Sequence, residues 1–381
     1  MIAIGDLVTI TKGKKPVELH NAPGPGRVRL LQIDDLRPGA TEKYAPAQNG
    51  MVIARPSDIV IAWDGANAGT SSFGLSGAIG STLAILRPRR DGIHTGFLGH
   101  FVRASQPLLR ARAKGATVPH LDPEVLQSLP VSLPPLAEQR RIAAILDEAD
   151  ALRAKRRAAL AHLDEMARAI FVEMFGDPDR NPHRWPVATL ASMMIDGPQN
   201  GLYKPSSDYG NGTPILRIDS FYDGVVTKLA GLKRLRLSSS EMETYALRPG
   251  DIVVNRVNSM EYLGKSAIIP RLEEVTVFES NMMRFSVDRT RAEPRFVVEH
   301  LQTPCVRDQI RSAAKHAVNQ SSINQQDVIG FRLLCPPIDE QKKFAAAISA
   351  VDAIRETERA ALERGDALFA SLQHRAFRGE L

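Results

Sequence analysis

Several short motifs contain residue types that catalyse reactions in other proteins, but each lacks a partner that the reaction requires. Leu263-Gly264-Lys265-Ser266 ends like a phosphate-binding loop, but Ser259 stands where that loop requires its first glycine. His94, His100 and His120 have no cysteine or carboxylate partner at metal-ligand spacing. The sequence also has no Asn/Asp-Pro-Pro-aromatic tetrapeptide, the motif with which amino-methyltransferases hold a flipped base. We therefore predict a chain without catalytic residues and without a metal site.

Cysteine usage and hydropathy indicate the cellular compartment in which the chain is expected to work. Cys305 and Cys335 stand thirty residues apart, so the sequence supports neither a disulfide framework nor a thiolate zinc site. We expect both to be small core residues of a reduced protein. Residues 1–6 lack the basic start and apolar run of a signal peptide, and no apolar run approaches the length of a membrane span. These features predict a cytoplasmic protein.

The net charge of +6 is distributed unevenly along the chain. Residues 1–133 carry a net charge of +5 and residues 181–335 carry +3, whereas residues 134–180 and 336–381 carry −1 each. A surplus of this size is common on soluble proteins and need not indicate a ligand. Its confinement to two segments nevertheless favours a polyanion that is bound in two places.

The two acidic stretches repeat each other at a constant offset of 202 residues. Pro134-Pro135-Leu136-Ala137-Glu138-Gln139 recurs as Pro336-Pro337-Ile338-Asp339-Glu340-Gln341, and the correspondence continues for about forty residues without a gap. Such strict length is typical of a helix, in which one inserted residue rotates every later side chain by about 100°. Two unrelated core helices would not explain the shared register.

A coiled-coil-like seam follows from the alternation of four- and three-residue steps in both helices, apolar at the ends and charged in the middle. In the first copy its positions are Ile142, Leu146, Ala149, Arg153, Arg156, Leu160, Leu163, Ala167, Ile170 and Met174. In the second copy they are Phe344, Ile348, Val351, Arg355, Glu358, Leu362, Gly365, Phe369, Leu372 and Ala376.

The segments before the two helices repeat each other more loosely. Arg55-Pro56-Ser57-Asp58 precedes a buried-strand pattern, as does Arg248-Pro249-Gly250-Asp251, and each strand leads into a polar loop. We predict an α+β fold built as a tandem duplication. It comprises a first module (residues 1–133), a long helix (134–180), a second module (181–335) and another long helix (336–381). The loops diverge on a constant framework, which is expected if they carry specificity.

With both copies of the Pro-Pro-Leu/Ile-x-Glu-Gln motif in place, the whole chain resembles the specificity subunit of type I restriction–modification systems. The resemblance implies two target recognition domains, each reading one half of a split, asymmetric DNA sequence. It implies that the long helices pair as an antiparallel coiled coil with an internal pseudo-twofold, and dock two methyltransferase subunits and, where present, two restriction/translocase subunits.

This chain would bind no cofactor itself, because S-adenosylmethionine, ATP and Mg²⁺ belong to the partners. A DNA-binding scaffold without restriction partners is the alternative. The chain departs from the family's pattern in one respect, because the first module lacks an equivalent of the Trp185-Pro186 lead-in.

If the modules read DNA, polar and basic loop residues should contact base edges and phosphates. In the second module, Arg256 could pair with guanine, Asn258 with adenine and Glu261 with the amino group of cytosine. An ordinary solvated loop is the alternative for every residue. The candidates in the second module are Gln199, Asn200, Tyr203, Lys204, Arg256, Asn258, Ser259, Glu261, Tyr262, Lys265, Lys315, Asn319, Gln320 and Ser322. The candidates in the first module are Lys12, Lys14, Lys15, Asn67, Thr70, Ser71, Lys114, Thr117 and His120.

Four residues of the repeated motif are candidates for contact with the methyltransferase subunits. Glu138 and Gln139 recur as Glu340 and Gln341 although the surrounding side chains vary, which suggests a task common to both halves. The alternative is that they are first-turn residues favoured by the helix dipole. Finally, about 40 helical residues at about 1.5 Å each make a rod of roughly 60 Å, which predicts a DNA spacer of fixed length between the half-sites.

Overall fold

A computed structural model describes residues 1–37, 39–115, 118–317 and 320–381. The chain divides into two compact units. Unit 1 comprises Met1–Arg157 and Arg359–Leu381, and unit 2 comprises Ala158–Glu358. Both units are mixed α/β. The first long helix, Leu136–Phe175, and the second long helix, Ile338–Arg378, each contribute residues to both units.

The local sequence accounts for the bounds of the long helices. A pair of prolines precedes each first turn, and Glu138 and Glu340 lie near the positive end of the helix dipole. Gly176 follows the first helix with a φ of 78°, and Gly379 follows the second with a φ of 76°, which is the left-handed conformation that ends helices. Every predicted seam position is buried or half-buried. The predicted alternation of four- and three-residue steps therefore matches the pattern of burial along both helices.

In unit 1 a four-stranded antiparallel sheet carries the main core, and its strands run in the order Val8–Lys12, Leu83–Pro88, Ile59–Ala62, Ser71–Phe73. Ile59 and Ile61 lie in a core cluster that also includes Ile142, Leu146 and side chains of the second long helix. Val60 and Ala62 belong to another cluster, as the period of two in a strand requires.

The remaining elements of unit 1 form smaller layers. A second four-stranded sheet has the order Lys43–Pro46, Arg27–Leu31, Gly77–Ile79, Ile53–Ala54, and Ile2–Ala3 pairs with Pro130–Val131. The helices are Ile4–Leu7, Thr95–Ala104, Gln106–Ala111, Pro123–Gln127 and the 3₁₀ helix Ile33–Leu36. Ser105 separates the helices Thr95–Ala104 and Gln106–Ala111, because Pro107 in the first turn of the second helix cannot donate a backbone hydrogen bond.

In unit 2 a six-stranded sheet begins with the same arrangement. Its order is Met194–Asn200, Met282–Val287, Ile252–Asn255, Ser266–Ile268, Gly224–Val226, Phe221–Tyr222. The first three pairings are antiparallel, like those in the main sheet of unit 1. The turn before the third strand is also repeated, since the Arg248 N–H donates to Asp251 at 2.8 Å and the Arg55 N–H donates to Asp58 at 2.9 Å.

The other strands and helices of unit 2 complete the fold around a phenylalanine core. Phe171, Phe175, Phe296 and Phe344 pack with ring centroids 4.9–6.3 Å apart. The other strands are Val187–Thr189, Tyr209–Leu216, Arg234–Leu235, Val257–Asn258, Val277–Phe278, Lys315–Ala317, Gln320–Ser322 and Arg332–Leu334. The helices are Ser239–Tyr245, Pro294–Leu301, Pro304–Ala313 and Gln325–Gly330, with 3₁₀ helices Leu190–Met193 and Ser206–Asp208.

Candidate nucleic-acid interface

The predicted residues of the first module lie mainly at one end of its four-stranded sheet. Lys12 ends its strand opposite Ala84, and Ala84 also pairs with Ile61 just before the 64–70 loop. Asp64 in that loop accepts from Lys12 Nζ at 3.2 Å and lies 2.7 Å from His120 Nδ1. Three stretches that are distant in the sequence therefore meet at one carboxylate.

Several of these predicted residues form hydrogen bonds within the first module or are buried in it. The Asn67 side chain accepts a hydrogen bond from Arg37, and Thr70 Oγ1 accepts one from Gln106 at 2.9 Å. Ser71 is 4% exposed, so its hydroxyl is not accessible to a ligand in this conformation. Lys14 and Lys15 are exposed and have no ion-pair partner among the described residues. Of this group, the two lysines are the most accessible cations.

Lys114 is held by a neighbouring carboxylate. Lys114 pairs with Asp122 at 2.8 Å, and this hydrogen bond raises the pKa of Lys114 and lowers that of Asp122. The lysine stays charged at neutral pH, but a ligand must compete with Asp122 for it. Thr117 lies outside the described residues, as does Asn319 of the second module.

The three candidate loops of the second module also converge at one end of a sheet. Met283 pairs with Asn200 on one side and with Val254 on the other, so the 199–204 and 256–265 loops begin side by side. A three-stranded sheet then joins the 256–265 loop to the strands Lys315–Ala317 and Gln320–Ser322, with Asn258 opposite Ser321 and Lys315 opposite Ser322. The predicted residues of the 256–265 loop therefore lie beside Lys315, Gln320 and Ser322 in one surface.

Within this surface some side chains are held and others are exposed. Gln199 accepts from Arg284 at 2.5 Å and donates to the Thr244 carbonyl, Arg256 donates to the Ser280 carbonyl, and Lys204 pairs with Glu241 at 2.6 Å. The Lys204 cation lowers the pKa of Glu241 to about 2. The exposed candidates are Asn200, Tyr203, Ser259, Glu261, Tyr262, Lys315 and Gln320.

An aromatic cluster around Lys265 was not predicted as a whole. Lys265 Nζ lies 3.8 Å from the ring centroid of Tyr222 and 5.5 Å from that of Tyr262, and it donates to the Ile218 carbonyl at 2.7 Å. Burial lowers the pKa of Lys265 to about 8. Tyr222 is 41% exposed and stands forty residues before Tyr262, so no local pattern joins the two. The cluster presents two tyrosine rings, which can stack on bases, beside a cation.

The two glutamines proposed for partner contact are buried and bind their own modules. Gln139 Oε1 accepts from the His94 N–H at 2.9 Å, and its Nε2 donates to the carbonyls of Gly92 and Pro134 at 3.0 and 2.8 Å. Its exposed fraction is 1%. The structure therefore uses this amide to attach the loop before Thr95–Ala104 to the first turn of the long helix, and leaves none of it to a partner.

Gln341 repeats this arrangement in unit 2. Its Oε1 accepts from the Glu293 N–H at 2.9 Å, and its Nε2 donates to the carbonyls of Arg291 and Pro336 at 3.3 and 2.8 Å. It is 0% exposed. We call Gln139 and Gln341 the anchoring glutamines.

The neighbouring glutamates, Glu138 and Glu340, face solvent. They form pairs three residues apart within their helices, with Arg141 and Lys343 at 2.7 Å each. Partner contact stays a prediction for these two residues.

Three further observations concern metal binding, the cysteines and membrane spans. Among the described residues there is no group of three or more His, Cys, Asp or Glu side chains arranged to hold a metal ion. Cys305 and Cys335 are free and half-buried. No helix in the described ranges is both long enough and apolar enough to cross a bilayer.

Comparison with known proteins shows which proteins this chain is similar to. Residues 1–162 match the family described as the type I restriction modification DNA specificity domain. The chain is 24% identical over 376 residues to the type I restriction enzyme MjaVIII specificity subunit of Methanocaldococcus jannaschii, covering 94% of this chain and 87% of that protein. It is 26% identical over 354 residues to the type I restriction enzyme EcoKI specificity subunit of Escherichia coli K12, covering 86% and 75%.

A solved structure shares the fold. It is the type-I restriction-modification system S subunit from M. genitalium, with a TM-score of 0.55, 14% sequence identity, and coverage of 98% of this chain and 95% of that chain.

Proposed function

We propose that this chain is a non-catalytic DNA-recognition subunit of a type I restriction–modification system, like the specificity subunits to which it is similar. It recognises an asymmetric DNA sequence made of two separated blocks, and each module reads one block. It positions two methyltransferase subunits and, where the system has them, two restriction/translocase subunits. The partners supply S-adenosylmethionine, ATP and Mg²⁺.

The observation that carries this proposal is the common placement of the candidate loops. In each unit, the first four strands of the main sheet have the same order. In each unit, candidate loops lie where the first and third strands end, at Lys12 and Ala62 in one case and at Asn200 and Asn255 in the other. The loop sequences differ between the modules. Two equivalent edges with different side chains suit two half-sites of different sequence.

Exposed apolar residues on the long helices support two partner positions. Leu152 and Met166 on the first helix are 49% and 40% exposed, and their repeat equivalents Ile354 and Leu368 are 51% and 55% exposed. Each unit therefore exposes two apolar side chains of the long helices, Leu152 and Leu368 in unit 1 and Met166 and Ile354 in unit 2, and we propose these as contact points for the partner subunits.

The proposal can be tested by mapping the methylated bases in the DNA of a host that carries this chain and its partner subunits. Single-molecule sequencing should reveal one motif with two specific blocks and a spacer of fixed length. The variant Asn258→Ala with Glu261→Ala should relax one block, because one wrong base pair typically changes binding by about 1–3 kcal/mol. The matched variant Lys14→Ala with Lys15→Ala, which removes the two exposed lysines of the first module, should relax the other block. A single continuous motif, or two variants that alter the same block, would contradict the assignment.

Helix length is proposed to set the spacer. Inserting four residues after Arg157 and four after Arg359 keeps the seam nearly in phase and adds about 6 Å to each helix. The motif should retain both blocks with a spacer longer by about one or two base pairs, at about 3.4 Å per pair. An active variant with an unchanged spacer would show that another feature sets the distance.

A further inference from the structure

A histidine–aspartate pair lies at the end of the main sheet of unit 1 where the predicted DNA-binding residues meet. Asp64 Oδ1 lies 2.7 Å from His120 Nδ1, and Asp64 Oδ2 accepts from Lys12 Nζ at 3.2 Å. The His120 side chain is 55% exposed, whereas that of Asp64 is 21% exposed. Both carboxylate oxygens are therefore used within the module, and the imidazole is the exposed member of the pair.

The backbone holds His120 from two sides. It forms β-bridges with Asp64 and with Lys114, and it exchanges two backbone hydrogen bonds with Lys114, at 2.9 and 2.6 Å. The Leu121 N–H also donates to the Trp63 carbonyl at 2.8 Å. The main chain at His120 is thus fixed beside the strand end that carries Asp64, so the two side chains are brought together by the fold.

Unit 2 repeats this backbone arrangement with other side chains. Ser322 pairs with Val257 on one side and with Lys315 on the other. Ser322 therefore takes the place of His120, and Val257 takes the place of Asp64. The histidine–aspartate pair occupies this position in the first module and not in the second, as expected for residues that distinguish two half-sites of different sequence.

The Asp64 carboxylate determines which hydrogen-bonding role is left to the imidazole. A carboxylate oxygen only accepts, and the Lys12 cation occupies the other oxygen, so the hydrogen of the 2.7 Å contact belongs to His120 Nδ1. A neutral imidazole has one N–H, so Nε2 carries a lone pair and accepts. No group in the described part of the chain donates a hydrogen bond to Nε2.

We propose that His120 reads the exocyclic amino group of one adenine or cytosine in the block recognised by the first module, and that Asp64 is the positioning residue that sets its tautomer. This inference rests on the proposed function. In the major groove only the N6 amino group of adenine and the N4 amino group of cytosine donate, whereas phosphate oxygens only accept. An accepting Nε2 therefore discriminates adenine from guanine and cytosine from thymine, because guanine and thymine present carbonyl oxygens at those places.

The first test measures binding of the chain, in complex with its methyltransferase subunits, to duplexes that carry the motif found by methylation mapping. In the block of the first module, each adenine is replaced in turn by unsubstituted purine and each cytosine by pyrimidin-2-one, analogues that lack the amino group. At one position the replacement should weaken binding of the wild type about five- to tenfold, but that of the His120→Ala variant by less than about twofold. As controls, the same replacements in the other block should weaken both proteins equally.

The variant Asp64→Asn tests the positioning role at nearly constant volume. Lys12 requires an acceptor, so it keeps the amide oxygen, and the amide NH₂ then donates to His120 Nδ1. The hydrogen of the neutral imidazole moves to Nε2, which becomes a donor. At the position found with His120→Ala, the preference for adenine over guanine, or for cytosine over thymine, should fall at least about fivefold. An equal loss of affinity for all bases would show that Asp64 only supports the loop, and would overturn the positioning role.

The remaining outcomes separate this inference from the proposed function. If the wild type methylates no bipartite motif, the proposed function and this inference both fail. If the motif is bipartite but every replacement weakens the wild type and His120→Ala equally, the inference alone is overturned. A His120→Ala variant that binds all duplexes more weakly by one common factor behaves as expected for a lost phosphate contact, which also overturns it. If His120→Ala does not fold, the base preferences of Asp64→Asn decide, and an unchanged preference at every position overturns the inference.

Discussion

Replacing an anchoring glutamine by alanine should destabilise one unit and leave the other unchanged. Gln139 makes three hydrogen bonds to backbone groups, and Gln341 makes three equivalent ones. Both side chains are buried, so these bonds are shielded from water while the glutamines are in place. Gln139→Ala leaves the His94 N–H and the carbonyls of Gly92 and Pro134 without this partner.

The magnitude follows from the number of groups. An unsatisfied buried polar group costs about 1–3 kcal/mol. Because Gly92 and Pro134 lie near the surface and can be partly hydrated, we take the lower end, which gives roughly 3 kcal/mol for each glutamine. For a unit of this size, that loss lowers the unfolding midpoint by about 6–12 °C.

Scanning calorimetry of the full chain checks this prediction, since two units can give two transitions. Gln139→Ala should lower one transition, and Gln341→Ala the other. Gln139→Met keeps the volume and isolates the loss of hydrogen bonding. Glu138→Ala and Glu340→Ala are matched controls, because their exposed ion pairs within one helix should leave both midpoints unchanged. A shift below about 2 °C for Gln139→Ala, or one equal to that of Glu138→Ala, would refute the assignment of an anchoring role.

Three other outcomes are expected. The isolated chain should neither methylate nor cut DNA with S-adenosylmethionine, ATP and Mg²⁺; turnover that survives removal of trace partner subunits would contradict a non-catalytic role. DNA affinity, measured by fluorescence anisotropy, should fall between pH 7 and pH 9, because burial lowers the pKa of Lys265 to about 8 and the cation is lost above it. Lys265→Arg should abolish that fall, and an equal fall in both proteins would exclude a contact by Lys265. Glu138→Ala with Glu340→Ala should reduce the number of methyltransferase subunits bound per chain from two to one or none, as measured by native mass spectrometry. If two subunits remain bound at low concentration, these glutamates serve only to stabilise the first turn of their helices.

The long helices could be predicted because their signal extends over forty residues. An ungapped repeat, a period near 3.6 and terminal glycines all indicate the same element, and the burial of the seam positions follows that period. The edges of the sheets could be predicted for a related reason. Polar loops that follow buried strands must lie at strand ends, and the register of the strands then brings Lys12 and Asp64 together.

The role of the anchoring glutamines could not be predicted from the motif. Their partners are backbone groups of Gly92 and His94 in one unit and of Arg291 and Glu293 in the other. Since backbone groups are common to all residue types, no side-chain identity is shared between the two sets of partners. The repeated Glu-Gln pair is therefore compatible with both a surface role and a buried one until the fold shows which side chain faces inward.

The internal repeat helps to explain why certain residue types occur at equivalent positions in both halves of the chain. Where a residue type recurs at an offset of 202 and both copies are buried, as for Gln139 and Gln341, the fold itself explains the retention. Leu152 and Ile354 recur at the same offset but are about half exposed, and their helices do not require a large apolar side chain there. A single exposed apolar residue needs no explanation, but its recurrence at equivalent positions of the two helices agrees with the proposal that a partner subunit covers each of them.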